Sequence, residues 1–479
     1  MRLATYAVAI GLLLPGGCAV NPKVRTPKAR ASRQWSEPPA HGIVVESPAV
    51  REWWKTFQDS TLDALVERAV ESNLDLRIAA ARVTEARAAR GVSASALLPS
   101  VGTSGGYTRV RGGIAQGLNG AGVIPGSPAP RSSLLAPFET SVFQSGFDAS
   151  WELDFFGGVR HGVDAATADA QAAEEGRRDA QVTVLAEIGR NYLETRGIQK
   201  RLEITRSNVE TQRQTLELTR VRYEAGLATD LDVARAAAQL ATTQAAIPSL
   251  ESGLARGIYR LGVLLGEEPG ALRTELERKA PLPSVPSSIP IGLPSDLLLR
   301  RPDVRQAEAE IAAATARLGV ARSDLFPKFT LTGLAGRQGV GFSGLALGAG
   351  NFFSLGPGVR LPIFAGGRIR SNIAVQDSRL QQAVTQYENA VLKSLEDVEN
   401  GLVAYSREQE RRDKLQQAVD ESRRAVELAS ELYLRGLGDF LSVLDAQKSR
   451  YALEDELAQS ETNVVVDLVA LYKALGGGW

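Results

Sequence analysis

The stretch "YEAGLATDLDV" at 223–233 returns, altered, as "YLRGLGDFLSV" at 433–443. Tyr, Gly, Leu, Leu and Val keep the same five places, and 433 − 223 gives an offset of 210 residues. Each copy closes a long charged stretch without proline. Earlier in each copy the likeness continues. "NLDLRIAAARVTEARA" at 73–88 is echoed by "RPDVRQAEAEIAAATA" at 301–316, an offset of 228. "LLPSVGTSG" and "LFPKFTLTG" follow at that same offset, and "FFGGVRHG" pairs with "IFAGGRIR". The offset falls by 228 − 210 = 18 residues, so the first copy carries an insertion, assigned to the Gly/Pro/Ser-rich loop 112–137. The chain therefore reads as an internal duplication, with repeats at 61–279 and 295–475. A Pro-rich linker at 280–294 joins them, and 476–479 form a tail.

The charged stretches have a seven-residue step. In the first copy it runs Ile188, Thr195, Leu202, Val209, Leu216, Tyr223; in the second, Val398, Tyr405, Arg412, Val419, Val426, Tyr433. A second column begins apolar, Leu185 and Tyr192 against Leu395 and Leu402, and then turns polar. A sustained step of seven implies coiled-coil packing with left-handed supercoiling. A stretch from about 162 to 225 would make a helix of about 95 Å, too long for a compact globule. The narrow seam fits either helices enclosing a wet space or an antiparallel hairpin with a thin core. In the first repeat a further helix is expected over 61–96 and another over 231–265, the latter kinked or broken at Pro248.

Four segments alternate with a period of two. In 142–156, Phe143, Phe147, Ala149, Trp151, Leu153 and Phe155 share one face, opposite Gln144, Asp148, Ser150, Glu152 and Asp154. In 352–364, Phe353, Leu355, Val359, Leu361 and Ile363 oppose Ser354, Gly356, Gly358 and Arg360. Shorter partners occupy about 98–110 and 326–337. Such segments suit transmembrane strands, which need about 9–11 residues, or a half-buried soluble sheet. If they span, four strands cannot close a barrel and lipid tolerates no open edge, so several chains must share one.

The first residues, "MRLATYAVAIGLLLPGGCAV", place Arg2 before an apolar run and Gly16-Gly17 before Cys18. This is a signal peptide over 1–17, followed by a Pro/Ser-rich tether over 18–60. Cys18 is the only cysteine and stands where a bacterial lipoprotein signal is cut, with Pro15 in the place usually held by Leu. Lipidation at Cys18 is expected.

Elsewhere composition mostly excludes. The 55 basic and 55 acidic residues cancel, giving no reason to expect a nucleic-acid partner. One cysteine and two separated histidines, His41 and His161, leave no disulfide and no cysteine-based or clustered metal site. No nucleophile–base set or phosphate loop is present, so an enzyme is the least favoured class.

Taken together, "EWWKTFQDSTLDALVERAVESNLDLR", "GLPSDLLLRRPDVRQAEAEIAAATARLGVARSDLFPKFTLTG", "LPIFAGGRIR" and "GLGDFLSVLDAQKSRYALE" resemble the TolC-type outer-membrane efflux ducts, in their NodT/OprM lipoprotein branch. The resemblance covers about residues 50–475. It implies an α+β membrane protein, a homotrimer with a 12-stranded transmembrane β-barrel, four strands per chain, continued by a long antiparallel coiled-coil α-helical barrel. It implies location in the Gram-negative outer membrane, with palmitate or another acyl chain on Cys18 and the helices reaching into the periplasm. A periplasmic adaptor and an inner-membrane pump would dock at the helical tip, and the duct would hold no cofactor. Gly226 and Gly436 then mark the reversals at that tip, with Leu227 and Leu437 as adaptor contacts. Asp445 matches an acid of the family's tip constriction, whereas Ser442 replaces a second one; Asp232 is the surviving acid in the first copy. Three Asp445 carboxylates around one axis would attract cations. Tyr433 and Tyr223 would link neighbouring helices in the closed state. The leading function is the passive exit duct of a tripartite efflux system for drugs or other small solutes. A type I protein-secretion duct and a non-conducting lipid-anchored stalk are the alternatives.

Overall fold

The computed structural model describes residues 34–37, 40–46, 51–112, 138–286, 288–340 and 350–479. The signal segment, Cys18, the tether up to residue 33 and nearly all of the loop 112–137 lie outside them. In chain order the elements are β1 (Ile43–Val44), a 3₁₀ turn (Trp53–Phe57), α1 (Ser60–Ser72), α2 (Leu74–Ser95), β2 (Ser100–Gly112) and β3 (Phe138–Leu153). Next come α3 (Gly158–Glu224), α4 (Asp230–Leu264), α5 (Arg273–Leu276), β4 (Ile289–Pro290), α6 (Pro294–Arg300) and α7 (Pro302–Ser323). The chain ends with β5 (Lys328–Gly339), β6 (Asn351–Arg360), α8 (Arg368–Leu434) and α9 (Phe440–Ala474).

Adding 228 to the bounds of α2 gives those of α7, and adding 210 to α3 and α4 gives α8 and α9. Left-handed glycines recur at the 210 offset too: Gly157 with Gly367, Gly226 with Gly436, Gly266 with Gly476.

The described residues fall into two compact units, one within 86–170 and 310–383, the other within 34–85, 171–309 and 384–479. The first holds a four-stranded antiparallel sheet in the order β2-β3-β5-β6. Its register lines up Val101, Ala149, Gly333 and Leu355 in one row, and Thr103, Phe147, Ala335 and Phe353 in the next on the same face. Gly102, Asp148, Leu334 and Ser354 make a row of the other face. Alternation along each strand thus becomes one apolar and one mainly polar face. The apolar side chains Val101, Phe147, Phe353, Leu355 and Val359 are exposed. β6 stops at Arg360, short of the 364 expected, and Pro362 beyond it has no N–H for a ladder. β6 also carries Pro357 and, among the described residues of one chain, pairs with β5 alone.

The second unit carries the large apolar core. Trp53, Leu65, Leu185, Ile188, Ile258, Tyr405 and Leu468 lie within it. The seven-step seam is buried as its period requires: Ile188, Thr195, Leu202, Val209 and Leu216 on α3, and Val398, Tyr405, Val419, Val426 and Tyr433 on α8. From Gln171 to Glu224 alone, α3 rises about 80 Å.

One expectation is corrected. The helix expected over 61–96 is two helices, because Asn73 leaves the helical conformation at ψ 131°. Its side-chain oxygen accepts the Leu76 N–H at 3.0 Å, and its Nδ2 donates to the Leu264 carbonyl at 2.6 Å. Both ends of a buried amide are therefore used, which favours the break over helix continuation. At the equivalent position, 73 + 228, Arg301 separates α6 from α7 and donates to the Ala474 carbonyl at 3.0 Å, the 210-offset counterpart of Leu264. Pro248, in contrast, does not break α4, which runs through it.

Among the described residues, no helix is long and apolar enough to cross a membrane.

Candidate functional site

The two reversals share one backbone solution. At the end of α3, Gly226 takes φ +72°; its N–H donates to the Tyr223 carbonyl at 2.9 Å and the Leu227 N–H to the Arg222 carbonyl at 2.7 Å. At the end of α8, Gly436 takes φ +73°, with Gly436 N–H to Tyr433 at 3.1 Å and Leu437 N–H to Leu432 at 2.9 Å. This pair of bonds is a Schellman cap, which satisfies the last carbonyls and needs a left-handed residue that glycine supplies without steric cost. The chain then presents Leu227 at 65% and Leu437 at 73% exposure.

Side chains around these turns differ between the copies. Thr229 caps α4: its Oγ1 accepts the Asp232 N–H at 3.2 Å, while Asp232 Oδ2 accepts the Thr229 N–H at 3.0 Å. Asp232, a gate candidate on sequence, is thus committed to a capping box. Shifted by 210, the two partners exchange chemistry. Asp439 is the N-cap of α9 and accepts the Ser442 N–H at 2.8 Å. Hydrogen bonding from Ser442, aided by the charge of Arg235, holds the Asp439 carboxyl below the usual range. The acid of this cap thus stands at the N-cap in the second copy and three residues further on in the first. Asp445 is exposed, and its carboxylate has no hydrogen bond or ion pair among the described residues.

The tyrosines also part. Tyr433 is 8% exposed and Tyr223 46%. Tyr433 packs against Phe440 at 5.5 Å between ring centroids, and the Arg222 guanidinium lies 4.5 Å from its ring centre. Its hydroxyl and the Arg222 Nε are buried without hydrogen-bond partners among the described residues. Leu216, Ala236 and Val443 complete an apolar cluster joining both reversals. Phe440 is the difference: 440 − 210 puts Asp230 in its place in the first copy, and an acid cannot cover Tyr223. Arg222, Phe440 and Asp439 were not singled out by sequence. Only the Arg immediately before Tyr223 hinted at a cation near an aromatic ring.

Nearer the large core, a buried polar chain ties α1 to α3. Tyr192 donates to Asp59 Oδ2 at 2.6 Å and accepts from Arg196 Nε at 3.1 Å. Arg196, 2% exposed, also reaches Gln199 Oε1 and the Arg278 carbonyl, both at 2.8 Å. Burial first, and then the bond to Asp59, push the Tyr192 phenol up to about 12.

Residues 65–267 and 293–477 match the profile of the outer membrane efflux proteins. The chain belongs to the outer membrane efflux protein family. Individual relatives agree over their whole length. The solvent efflux pump outer membrane protein SrpC of Pseudomonas putida is 30% identical over 476 residues, covering 98% of this chain and 97% of that protein. The pyoverdine export outer membrane protein OpmQ of Pseudomonas aeruginosa is 31% identical over 483 residues, 100% of this chain and 98% of the relative. Among solved structures, the outer-membrane channel OprN superposes with TM-score 0.87 at 35% identity, over 96% of this chain and 100% of that one. An outer membrane efflux protein of this kind is an exit duct of a tripartite efflux system in the Gram-negative outer membrane, extending into the periplasm, and not an enzyme. Its fold is that of the TolC-like channels, mostly helical with some sheet.

Proposed function

We propose that three copies of the chain form one passive duct, closed at the helix reversals and opened when a periplasmic adaptor and an inner-membrane pump engage. The observation that carries this reading is the four-stranded sheet with its exposed apolar face and two unpaired edges. Such a sheet in lipid leaves backbone groups without partners on β2 and β6, and pairing β2 of one chain with β6 of the next removes that cost. Three chains give twelve strands. The repeats at 61–279 and 295–475, joined by 280–294, place two long helix pairs per chain, which become the walls of the helical barrel. Leu227 and Leu437 offer apolar contacts to the adaptor, Tyr433 with Arg222 clasps α3 to α8 in the closed state, and Asp445 rings the constriction. Cys18 carries the acyl chain. Solutes are small organic molecules, as the solvent and pyoverdine exporters among the relatives suggest.

Two measurements test the proposal. Mass determination of the detergent-solubilised protein is expected to give three chains, and cells lacking it to accumulate a fluorescent efflux dye until the wild-type copy is restored. A monomer with unchanged dye accumulation would refute it.

A further inference from the structure

The apolar face of the sheet ends in a group of arginines. Past Thr103, Phe147, Ala335 and Phe353, its next row holds Gly105, Ser145, Arg337 and Asn351. Tyr107, Phe143 and Gly339 follow, then Arg109 with Ser141, and last Arg111 with Glu139. Among the described residues of the four strands, the charged side chains of this face are Arg109, Arg111, Glu139 and Arg337, all exposed. Asp148, Glu152, Lys328 and Arg360 fall on the other face by alternation. On β3 the uncharged run from Leu153 to Phe143 spans 153 − 143 = 10 residues, about 33 Å at 3.3 Å each. Tilted by about 40°, it is about 25 Å tall, the height of the apolar band of a membrane barrel. Tyr107 and Phe143, with ring centroids 4.8 Å apart, stand at its limit as interfacial aromatics do.

Charge and shape at this end select the same kind of ligand. Arg109 pairs with Glu139 at 3.2 Å, so three arginines against one acid leave 3 − 1 = 2 positive charges. Gly105 and Ser145 carry so little side chain that a hollow of about 750 Å³ opens beside Tyr107, Phe143, Phe147 and Arg337. An arginine fork matches phosphate oxygens in pairs and keeps its charge at any ordinary pH. Arg337 and Arg109 lie two strands and four residues apart, about 16 Å along the sheet, a gap that a headgroup with two phosphates bridges. β3 and β6 lead into α3 and α8 at the opposite end, and in the duct these helices run into the periplasm. The arginine end then lies at the outer leaflet, where the Gram-negative outer membrane carries phosphorylated glycolipids.

We propose that Arg109, Arg111 and Arg337 bind the phosphates of an outer-leaflet glycolipid, with one of its acyl chains lodged in the hollow beside Tyr107 and Phe143. This rests on the reading that the sheet spans the membrane. The test adds lipid A to the full-length protein in mild detergent and measures bound lipid by native mass spectrometry. Wild type is expected to bind the bisphosphorylated form at least about tenfold more tightly than the dephosphorylated one. The triple variant Arg109→Gln, Arg111→Gln, Arg337→Gln should lose that preference. The pair Lys328→Gln and Arg360→Gln, at the other end and on the other face, should keep it. Equal binding of both lipid forms by wild type overturns the proposal, as does a preference that survives the triple variant. Millimolar inorganic phosphate should leave the lipid bound; displacement would mark a free-anion site and overturn the glycolipid. Should the triple variant fail to fold by circular dichroism, Arg337→Gln alone is expected to lower the preference about threefold, and an unchanged preference there counts against the site. Conductance in planar bilayers separates the two failures. A protein that conducts but shows no phosphate preference sinks the glycolipid site alone, whereas one that never conducts, even as Tyr433→Ala, sinks the spanning reading and the site with it.

Discussion

A methyl group at Gly197 tests how closely the second unit is packed. Gly197 sits on α3 against Thr462 of α9, and a Cβ there would overlap Thr462 Oγ1 and Cγ2 and lie 2.9 Å from its Cβ. Thr462 cannot turn away cheaply, because it is buried and its hydroxyl donates to the Ala458 carbonyl at 2.8 Å. The helices must therefore part by about 0.5–1 Å to reach ordinary contact distance, which places the cost near the upper end of overpacking, about 3 kcal/mol. Replacing glycine by alanine inside a helix returns about 1 kcal/mol. Gly197→Ala is thus expected to destabilise each chain by about 2 kcal/mol. Denaturation in detergent, followed by far-UV circular dichroism, measures it. Combined with Thr462→Ala, the loss should be smaller than the sum of the single losses by at least about 1 kcal/mol. Gly162→Ala, on the same helix with nothing within 4 Å of the added methyl, should be neutral or stabilising. A Gly197→Ala protein as stable as wild type would refute the packing argument.

Other changes have definite expected outcomes. Tyr192→Phe removes the donor to Asp59 and an acceptor of the buried Arg196, so the same denaturation assay should show a loss of about 2 kcal/mol. Gly226→Ala and Gly436→Ala force a side chain into a left-handed turn and should each cost about 1 kcal/mol while leaving the fold intact by circular dichroism, since nothing else lies near. Asp467 has its pKa raised to about 6, by burial first and by Glu408 second. The folded state therefore holds this proton more tightly than the unfolded chain, so stability falls as pH rises from about 4 to about 6 and the penalty is complete above that. Discounted for its partial exposure, the penalty is about 1–2 kcal/mol. Asp467→Asn should stabilise the protein at pH above about 7 and lose that advantage near pH 4, by thermal melts at both pH values.

What the sequence made legible follows from the reach of each signal. Periodicity is local and survives in any context, so the buried column from Ile188 to Leu216 and the two faces of the sheet could be read directly. The break at Asn73 could not, because no proline or glycine marks it; it exists because the Leu264 carbonyl, 191 residues away, needs the donor that Asn73 supplies. At Pro248, where a kink or a break was expected, the helix is not broken. At the reversals the glycines were plain, since few other residues accept positive φ. The roles of the side chains were not. Asp232 looked like a lining acid until its bonds to Thr229 were seen, and Tyr433 and Tyr223 looked equivalent until Phe440 and Arg222 were found beside only one of them. The first of these is a local capping box, three residues apart, that the spacing of Thr229 and Asp232 could have shown; the contact of Arg222 with Tyr433 joins the two copies, and neither copy's pattern encodes it.

The most direct test of the duct is single-channel recording of the purified protein in planar lipid bilayers, comparing wild type with Tyr433→Ala and Asp445→Ala. Closure at the reversals predicts small, brief conductance for wild type and larger, sustained conductance once Tyr433 no longer holds Arg222 and Phe440, with a rise also for Asp445→Ala. A trimeric protein that never conducts, in wild type or in either variant, would contradict it.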